Sequence, residues 1–173
     1  MTVRIQLSSR QRKALDDLRK DRNTQTKEQL QVSNFVAPEY IIMKEFHWSS
    51  SHCLIGLRDG HPCARNHGHN YCAIVVLRAT QLNDVGFVVD YGELSPVKDF
   101  IDKRWDHKFI ASSEEQLERF NVPSSEAYVL GCQTSAENMA RHLYSIFKDE
   151  FPLHEVRISE TPKTWAIYRE KSI

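Results

Sequence analysis

The chain has 173 residues with 23 basic and 23 acidic side chains, so its formal net charge is zero. This length fits one domain with a sizeable core, and the charge balance gives no overall attraction to nucleic acid or membranes, so a small-molecule partner is expected. We expect a cytosolic protein, because there is no apolar run of membrane-span length, no secretory leader and no disulfide framework among the four cysteines.

Residues 1–38 differ in composition from residues 39–173, and we expect them to be a polar extension of the domain that follows. Their first 28 residues carry an excess of four positive charges. A short helix capped by Ser8 or Ser9 could run to about Lys20, but its three apolar residues are too few to stabilise it alone. A docked or partly disordered arm is therefore expected.

Three strands are predicted in the first half of the domain. Residues 40–48 and 70–79 are rich in β-branched and aromatic side chains, which favour strands. Residues 86–91 follow a turn at Asn83 and Asp84 and are predicted to be the third strand. Together the three would form an antiparallel meander.

Two helices are predicted next. Apolar residues recur at helical spacing after the third strand and indicate a helix ending near Asp106, in which Pro96 is tolerable only in the first turn. A polar stretch then runs to Cys132. The second helix follows, with Thr134 and Glu137 as a plausible capping box.

The chain closes with two strands, residues 154–160 and 164–170, joined by a turn at Thr161 and Pro162. The predicted order is thus β-β-β-α-α-β-β. Strands and helices that occur in blocks indicate an α+β fold, here an antiparallel sheet with two helices on one face.

Potential metal ligands are concentrated between Trp48 and Tyr71. His67 and His69, separated by one residue, face the same side of an extended strand, so both imidazoles can approach one ion. With His52 they supply three nitrogen ligands. That is the ligand number of a catalytic zinc site whose fourth position is open.

Cys63 lies in a loop, four residues before His67, and has three possible roles. It could be a fourth zinc ligand, an inert thiol or a base. Because a nearby dication lowers a thiol's pKa, a thiolate there can accept protons without binding the ion. We favour the base.

Asp106 and His107 lie where the first helix is predicted to end. An imidazole at a helix C-terminus compensates the helix dipole. Alternatively, the pair transfers protons together with a partner from elsewhere in the fold.

Glu160 shares one strand face with Val156 and Ile158, so a carboxylate ends a row of inward-facing side chains. An inward carboxylate is costly unless it meets a cation or accepts hydrogen bonds from a ligand. A salt bridge and a ligand site are both open at this point. Glu137 already has an explanation in the capping box.

A series of motifs, in order along the chain, resembles one known family. They are WSSSHCL, CARNHGHNY, GFVVDYGEL, WDHKFI, TSAENMA and ISETPKTWAIY. Over roughly residues 40–169 the chain resembles the 6-pyruvoyltetrahydropterin and 6-carboxytetrahydropterin synthases. The resemblance implies the tunnelling fold, in which subunits assemble into barrels, commonly a hexamer of two trimers with active sites at subunit interfaces.

The resemblance also implies roles for individual residues. The zinc ligands would be His52, His67 and His69. Proton transfer would involve Cys63, Asp106 and His107, the last two coming from a neighbouring subunit. Glu160 would anchor the pterin, with Glu137 and Ser135 near the same ring.

The implied substrate is 7,8-dihydroneopterin triphosphate. The spacing Cys-x-x-x-His-Gly-His resembles that of the carboxy-forming enzymes of queuosine and 7-deazapurine synthesis, which release acetaldehyde and triphosphate. Trp48 and the pair Thr134 and Ser135 depart from the family pattern but keep its chemical type, so they leave substrate preference open. The alternatives are a 6-pyruvoyltetrahydropterin synthase, a non-catalytic zinc or pterin-binding module, and nucleic-acid binding by the basic arm.

Overall fold

The structure is a computed structural model that describes residue 13 and residues 38–171. The expected arm of residues 1–38, with its helix at Ser8–Lys20, lies outside the described residues except for Lys13 and Pro38. The boundary between arm and domain therefore stays a prediction.

Residues 38–171 contain six strands, three α-helices and three short 3-10 helices. The strands are β1 (Tyr40–His52), β2 (His67–Ala79), β3 (Phe109–Ala111), β4 (Ala127–Val129), β5 (Leu153–Thr161) and β6 (Thr164–Tyr168). The α-helices are α1 (Ser95–Arg104), α2 (Glu114–Phe120) and α3 (Ala136–Phe147). The 3-10 helices are Pro62–Ala64, Tyr91–Leu94 and Ser124–Glu126. In this part of the chain no helix has the length and hydropathy needed to cross a membrane.

The six strands form one mixed sheet in the order β4-β3-β1-β2-β5-β6. β1 and β2 form a long antiparallel ladder, and β5 and β6 extend it antiparallel. At the other edge β3 pairs parallel with β1, and β4 pairs parallel with β3. The prediction of a wholly antiparallel sheet is wrong at this edge, because α2 lies between β3 and β4 and provides the crossover that parallel neighbours need.

The core covers one face of the sheet. Alternating residues of β1, β2 and β5 pack there against α1 and α3. The rings of Trp48 and Tyr71, opposite each other in the ladder, stack with centroids 5.0 Å apart. His52, His67 and His69 continue this core row toward the end of the ladder, so the packing of the core determines their positions.

Residues 86–91 are not a strand, contrary to prediction. The Asn83 side chain accepts the backbone N–H groups of Val85 and Phe87, and Asp90 caps the 3-10 helix by accepting from Gly92. These local bonds use N–H groups that a ladder would need. The apolar residues Val88 and Val89 pack on the core without a partner strand.

Two further predictions are wrong. The polar stretch before Cys132, for which no helix or strand is predicted, contains β3, α2 and β4. Its strands of three residues are too short for an alternating pattern to show. The capping box is absent: the N-cap of α3 is Ser135, without a side-chain capping bond. The hydroxyl of Thr134 instead donates to the Cys53 carbonyl.

Candidate functional site

Three imidazoles converge where the core row of the sheet ends. His52 lies opposite His67 in the β1–β2 ladder, and Ser50 lies opposite His69, so all three histidines share the core-facing side. Their ring centroids are 4.6 to 5.2 Å apart. One ring nitrogen from each lies within 4.8 Å of the other two. The structure thus brings together the histidines that the sequence indicated.

Backbone carbonyls orient two of these rings. The Nδ1 atom of His52 lies 2.8 Å from the Thr134 carbonyl, and Nδ1 of His67 lies 2.8 Å from the Arg65 carbonyl. A carbonyl only accepts, so each Nδ1 carries the proton and each Nε2 keeps its lone pair. The Nε2 atoms of His52 and His69 are buried without a partner. These atoms fit a divalent cation, which would satisfy their lone pairs.

The electrostatics also favour neutral imidazoles. Burial lowers the pKa of His52 to about 4, and burial followed by the charge of His67 lowers the pKa of His69. A neutral ring is the form that binds metal.

Cys63 lies in the 3-10 helix between β1 and β2, where its backbone N–H donates to Nδ1 of His61. Its side chain is half-buried. The sulfur is not part of the group of mutually close ligand atoms formed by the three histidines. Cys63 is therefore close to His67 in sequence, but its sulfur is not grouped with the three imidazoles.

Asp106 and His107 form a pair just after α1. Asp106 Oδ2 lies 2.8 Å from His107 Nδ1, and its Oδ1 accepts the backbone N–H of Ser49 at 3.0 Å. That bond is the main cause that lowers the pKa of Asp106. His107 has a φ of 55° and an imidazole that is 83% exposed. It lines, with His69, a cavity of about 560 Å³.

Glu160, Glu137 and Ser135 line a second cavity of about 260 Å³, together with Trp165. Oε1 of Glu160 lies 3.9 Å from Nε2 of His52, which places this cavity beside the histidines. Burial, followed by the charge of Glu137, raises the pKa of Glu160. Among the described residues Glu160 has no lysine or arginine ion-pair partner, so the ligand-binding alternative is favoured over the salt bridge.

The predicted residues thus fall into three places within one chain. His52 lies beside the Glu160 cavity, whereas His107 borders the larger cavity, which His69 also lines. Cys63 belongs to the lining of neither cavity.

Tyr71 is a residue of this site that the sequence analysis missed. Its ring lies 5.4 Å from that of His69 and 6.0 Å from that of His52, between centroids. Its hydroxyl is buried without a partner, and burial raises its pKa further above the usual range, so it stays protonated. The spacing could have revealed it, because His67, His69 and Tyr71 alternate along one strand face.

The chain resembles known proteins in sequence. Residues 41–171 match the family described as 6-pyruvoyl tetrahydropterin synthase. The 6-carboxy-5,6,7,8-tetrahydropterin synthase of Bacillus subtilis is 27% identical over 130 residues, covering 74% of this chain and 84% of its own. The 6-pyruvoyl tetrahydrobiopterin synthase of Dictyostelium discoideum is 28% identical over 112 residues, covering 62% of this chain and 73% of its own.

A solved structure shares the fold. The 6-pyruvoyl tetrahydropterin synthase of Caenorhabditis elegans matches with a TM-score of 0.60 and 23% identity, covering 79% of this chain and 99% of its own. This confirms the predicted α+β tunnelling-fold class, with a mixed sheet and three helices in place of the antiparallel sheet and two helices expected.

Proposed function

Because the chain belongs to the 6-pyruvoyl tetrahydropterin synthase family, as its motifs predicted, we propose that it is a zinc-dependent 6-carboxytetrahydropterin synthase. It converts 7,8-dihydroneopterin triphosphate and water to 6-carboxy-5,6,7,8-tetrahydropterin, acetaldehyde and triphosphate, for queuosine or 7-deazapurine synthesis. The observation that carries the proposal is the convergence of three imidazoles beside the Glu160 cavity.

His52, His67 and His69 are the proposed zinc ligands. Bound zinc would polarise a substrate oxygen as a Lewis acid and so stabilise the negative charge that develops there. The Thr134 and Arg65 carbonyls fix the rings of His52 and His67 so that their Nε2 atoms face the ion.

Glu160 is the proposed pterin anchor. An ionised carboxylate only accepts hydrogen bonds, and the pterin edge presents an amino group and an adjacent ring N–H, both donors. Since burial and the charge of Glu137 disfavour the ionised form of Glu160, hydrogen-bond donors of the pterin would compensate its charge. Ser135 and Glu137 line the same cavity and are proposed to contact the ring.

Cys63 and His107 are proposed to move protons to and from the side-chain carbons of the substrate. Asp106 holds Nδ1 of His107, so Nε2 of that ring faces outward for proton transfer. Because His107 is exposed and borders a different cavity from Glu160, the proposed active site takes its Asp106 and His107 pair from a neighbouring subunit. The assembly we propose is a hexamer of two trimers.

Tyr71 contributes a neutral hydroxyl beside the histidines. A buried phenol with a raised pKa donates a hydrogen bond without losing its proton. We assign it the role of donor to a substrate oxygen.

The carboxy product is favoured by the spacing of Cys63, His67 and His69 and by the name of the Bacillus subtilis relative. The Dictyostelium discoideum relative, at 28% identity, carries the pyruvoyl name. A 6-pyruvoyltetrahydropterin synthase is therefore the second candidate.

The test is identification of the products made from 7,8-dihydroneopterin triphosphate by zinc-loaded protein, using mass spectrometry for the pterin and an alcohol dehydrogenase assay for acetaldehyde. A 6-carboxy pterin with equimolar acetaldehyde is expected. A pyruvoyl pterin without acetaldehyde would select the second candidate. Binding of the pterin without any turnover would indicate that the protein is a non-catalytic binding module.

A further inference from the structure

A second group of metal-ligand side chains lies on the other face of the sheet. His47 and Cys72 are directly opposite each other in the β1–β2 ladder, and Glu45 is two residues from His47 on the same strand face. The carboxylate, imidazole and thiol each place one ligand atom within 4.8 Å of the other two. Phe46, between Glu45 and His47, faces the core, so this group is separated from the three histidines by the sheet itself.

The group is accessible to solvent, and its carboxylate lies near an imidazole rather than a lysine or arginine of the described residues. The side chains of His47 and Glu45 are 66% and 61% exposed, and His47 Nε2 lies 3.4 Å from Glu45 Oε2. Arg157 is the basic residue opposite Ile74 on this face. Its guanidinium is bonded to Glu155 at 2.6 Å. Among the described residues Glu45 has no lysine or arginine ion-pair partner.

The donor set indicates which ligand would fit. One imidazole nitrogen, one thiolate sulfur and one carboxylate oxygen are the donors that zinc uses, and soft sulfur disfavours magnesium and calcium. The thiolate and the carboxylate together balance the charge of a dication. On binding, the Cys72 thiol would release its proton to solvent.

We propose that Glu45, His47 and Cys72 form a second site for a zinc-type divalent cation. Water completes the coordination on the exposed side. The proposal does not rest on the proposed enzymatic function, because the two sites share no ligand and lie on opposite faces.

Cobalt alone, added to metal-free full-length protein, is the probe of the second site. Sulfur bound to cobalt gives a charge-transfer absorption in the near ultraviolet, which three histidines cannot produce. We expect this band in the wild-type protein and in His69→Ala, and its loss in Cys72→Ser and in His47→Ala. Cys63→Ser is the matched thiol control and should keep the band.

Zinc content gives a second, independent measurement. After equilibration with zinc, the wild-type chain should hold about two ions, and His47→Ala and His69→Ala about one each. No sulfur band in the wild type, or a band that survives Cys72→Ser, would overturn the proposal and leave Glu45 and His47 as a surface ion pair. If His69→Ala lost zinc while His47→Ala held as much as the wild type, the result would support the three-histidine site and overturn the second one.

Discussion

At the scale of single residues, the orphaned nitrogens of His52 and His69 are the most informative feature. Buried polar atoms in folded proteins almost always have hydrogen-bond partners, and an unpartnered one is costly. Here two such atoms lie together with a third imidazole and a buried tyrosine hydroxyl. A metal ion that accepts the nitrogen lone pairs, next to a substrate oxygen that accepts a hydrogen bond from the tyrosine, would satisfy all of them.

Cys63→Ala separates the two chemical roles of the thiol. Because its sulfur is not part of the histidine group, we expect zinc content and pterin binding to stay near wild type. Turnover should fall by roughly 10² to 10⁴, the usual contribution of a positioned acid or base. Metal analysis and steady-state kinetics measure both, with His69→Ala as the zinc-losing control. Zinc loss equal to that control would show that sulfur closes the coordination sphere.

Glu160→Gln tests the pterin anchor. The substitution replaces one acceptor oxygen by a donor facing the donors of the pterin. The activation free energy that corresponds to kcat/KM should therefore rise by about 2 to 3 kcal/mol, the range for a broken charged hydrogen bond. Glu137→Gln in the same cavity is the matched control and should cost less, because it also removes the repulsion that raises the pKa of Glu160. Equal losses in both variants would contradict the anchor.

At the scale of elements, the ladder between β1 and β2 positions the histidines. Propensity predicted strands only to Trp48 and from Asn70, whereas pairing continues through serines and histidines to His52 and His67. His52 lies on β1 and the other two histidines lie on β2, so the spacing between the strands sets the distances from the His52 ring to the rings of His67 and His69.

Gly68→Ala tests this dependence. A Cβ on Gly68, between the two histidines, would lie 3.3 Å from the Ser50 carbonyl oxygen. The strands must separate by a few tenths of an ångström to accept it, so the zinc Kd should rise on the order of tenfold, as when groups supporting a metal site are disturbed.

Gly92→Ala is the control for that strain. Its Cβ would lie equally close to a neighbour, 3.2 Å from Asp90 Oδ1, but on an element that carries no histidine of the cluster. Zinc affinity measured by competition with a chelator should be unchanged in Gly92→Ala. The same loss in both variants would mean that ladder spacing does not govern the site.

At the scale of the whole molecule, one chain does not gather all the proposed catalytic groups into one cavity. Glu160 lines one cavity and His107 another, and Cys63 lines neither. An active site built between copies of the chain resolves this separation, because symmetric assembly can bring surface residues of one copy to the cavity of the next.

Complementation between two inactive variants tests that arrangement. Cys63→Ala and His107→Ala should each be inactive, but oligomers reassembled from an equal mixture should regain about a quarter of wild-type activity, since random pairing restores that share of sites. Activity is measured before and after unfolding and joint refolding, with each variant refolded alone as the control. Verified mixed oligomers without recovered activity would place Cys63 and His107 in the same subunit.

The sequence alone indicated that three histidines come together, which strand face carries Glu160, and that the chain closes with a helix and two strands. These follow from local geometry: side chains alternate along a strand and recur at 3.6 residues in a helix, whatever lies elsewhere. The resemblance in motifs added the family. The placement of individual side chains was therefore predictable wherever it depended on spacing within one element.

Only the tertiary structure decided which apolar segments pair and which polar atoms meet. The run at residues 86–91 has the composition of a strand but no partner, and the three-residue strands β3 and β4 exist only because parallel neighbours are available. Likewise, Thr134 supplies a carbonyl to His52 from 82 positions along the chain. Pairing and burial of this kind arise from contacts between distant segments, and no local period encodes them.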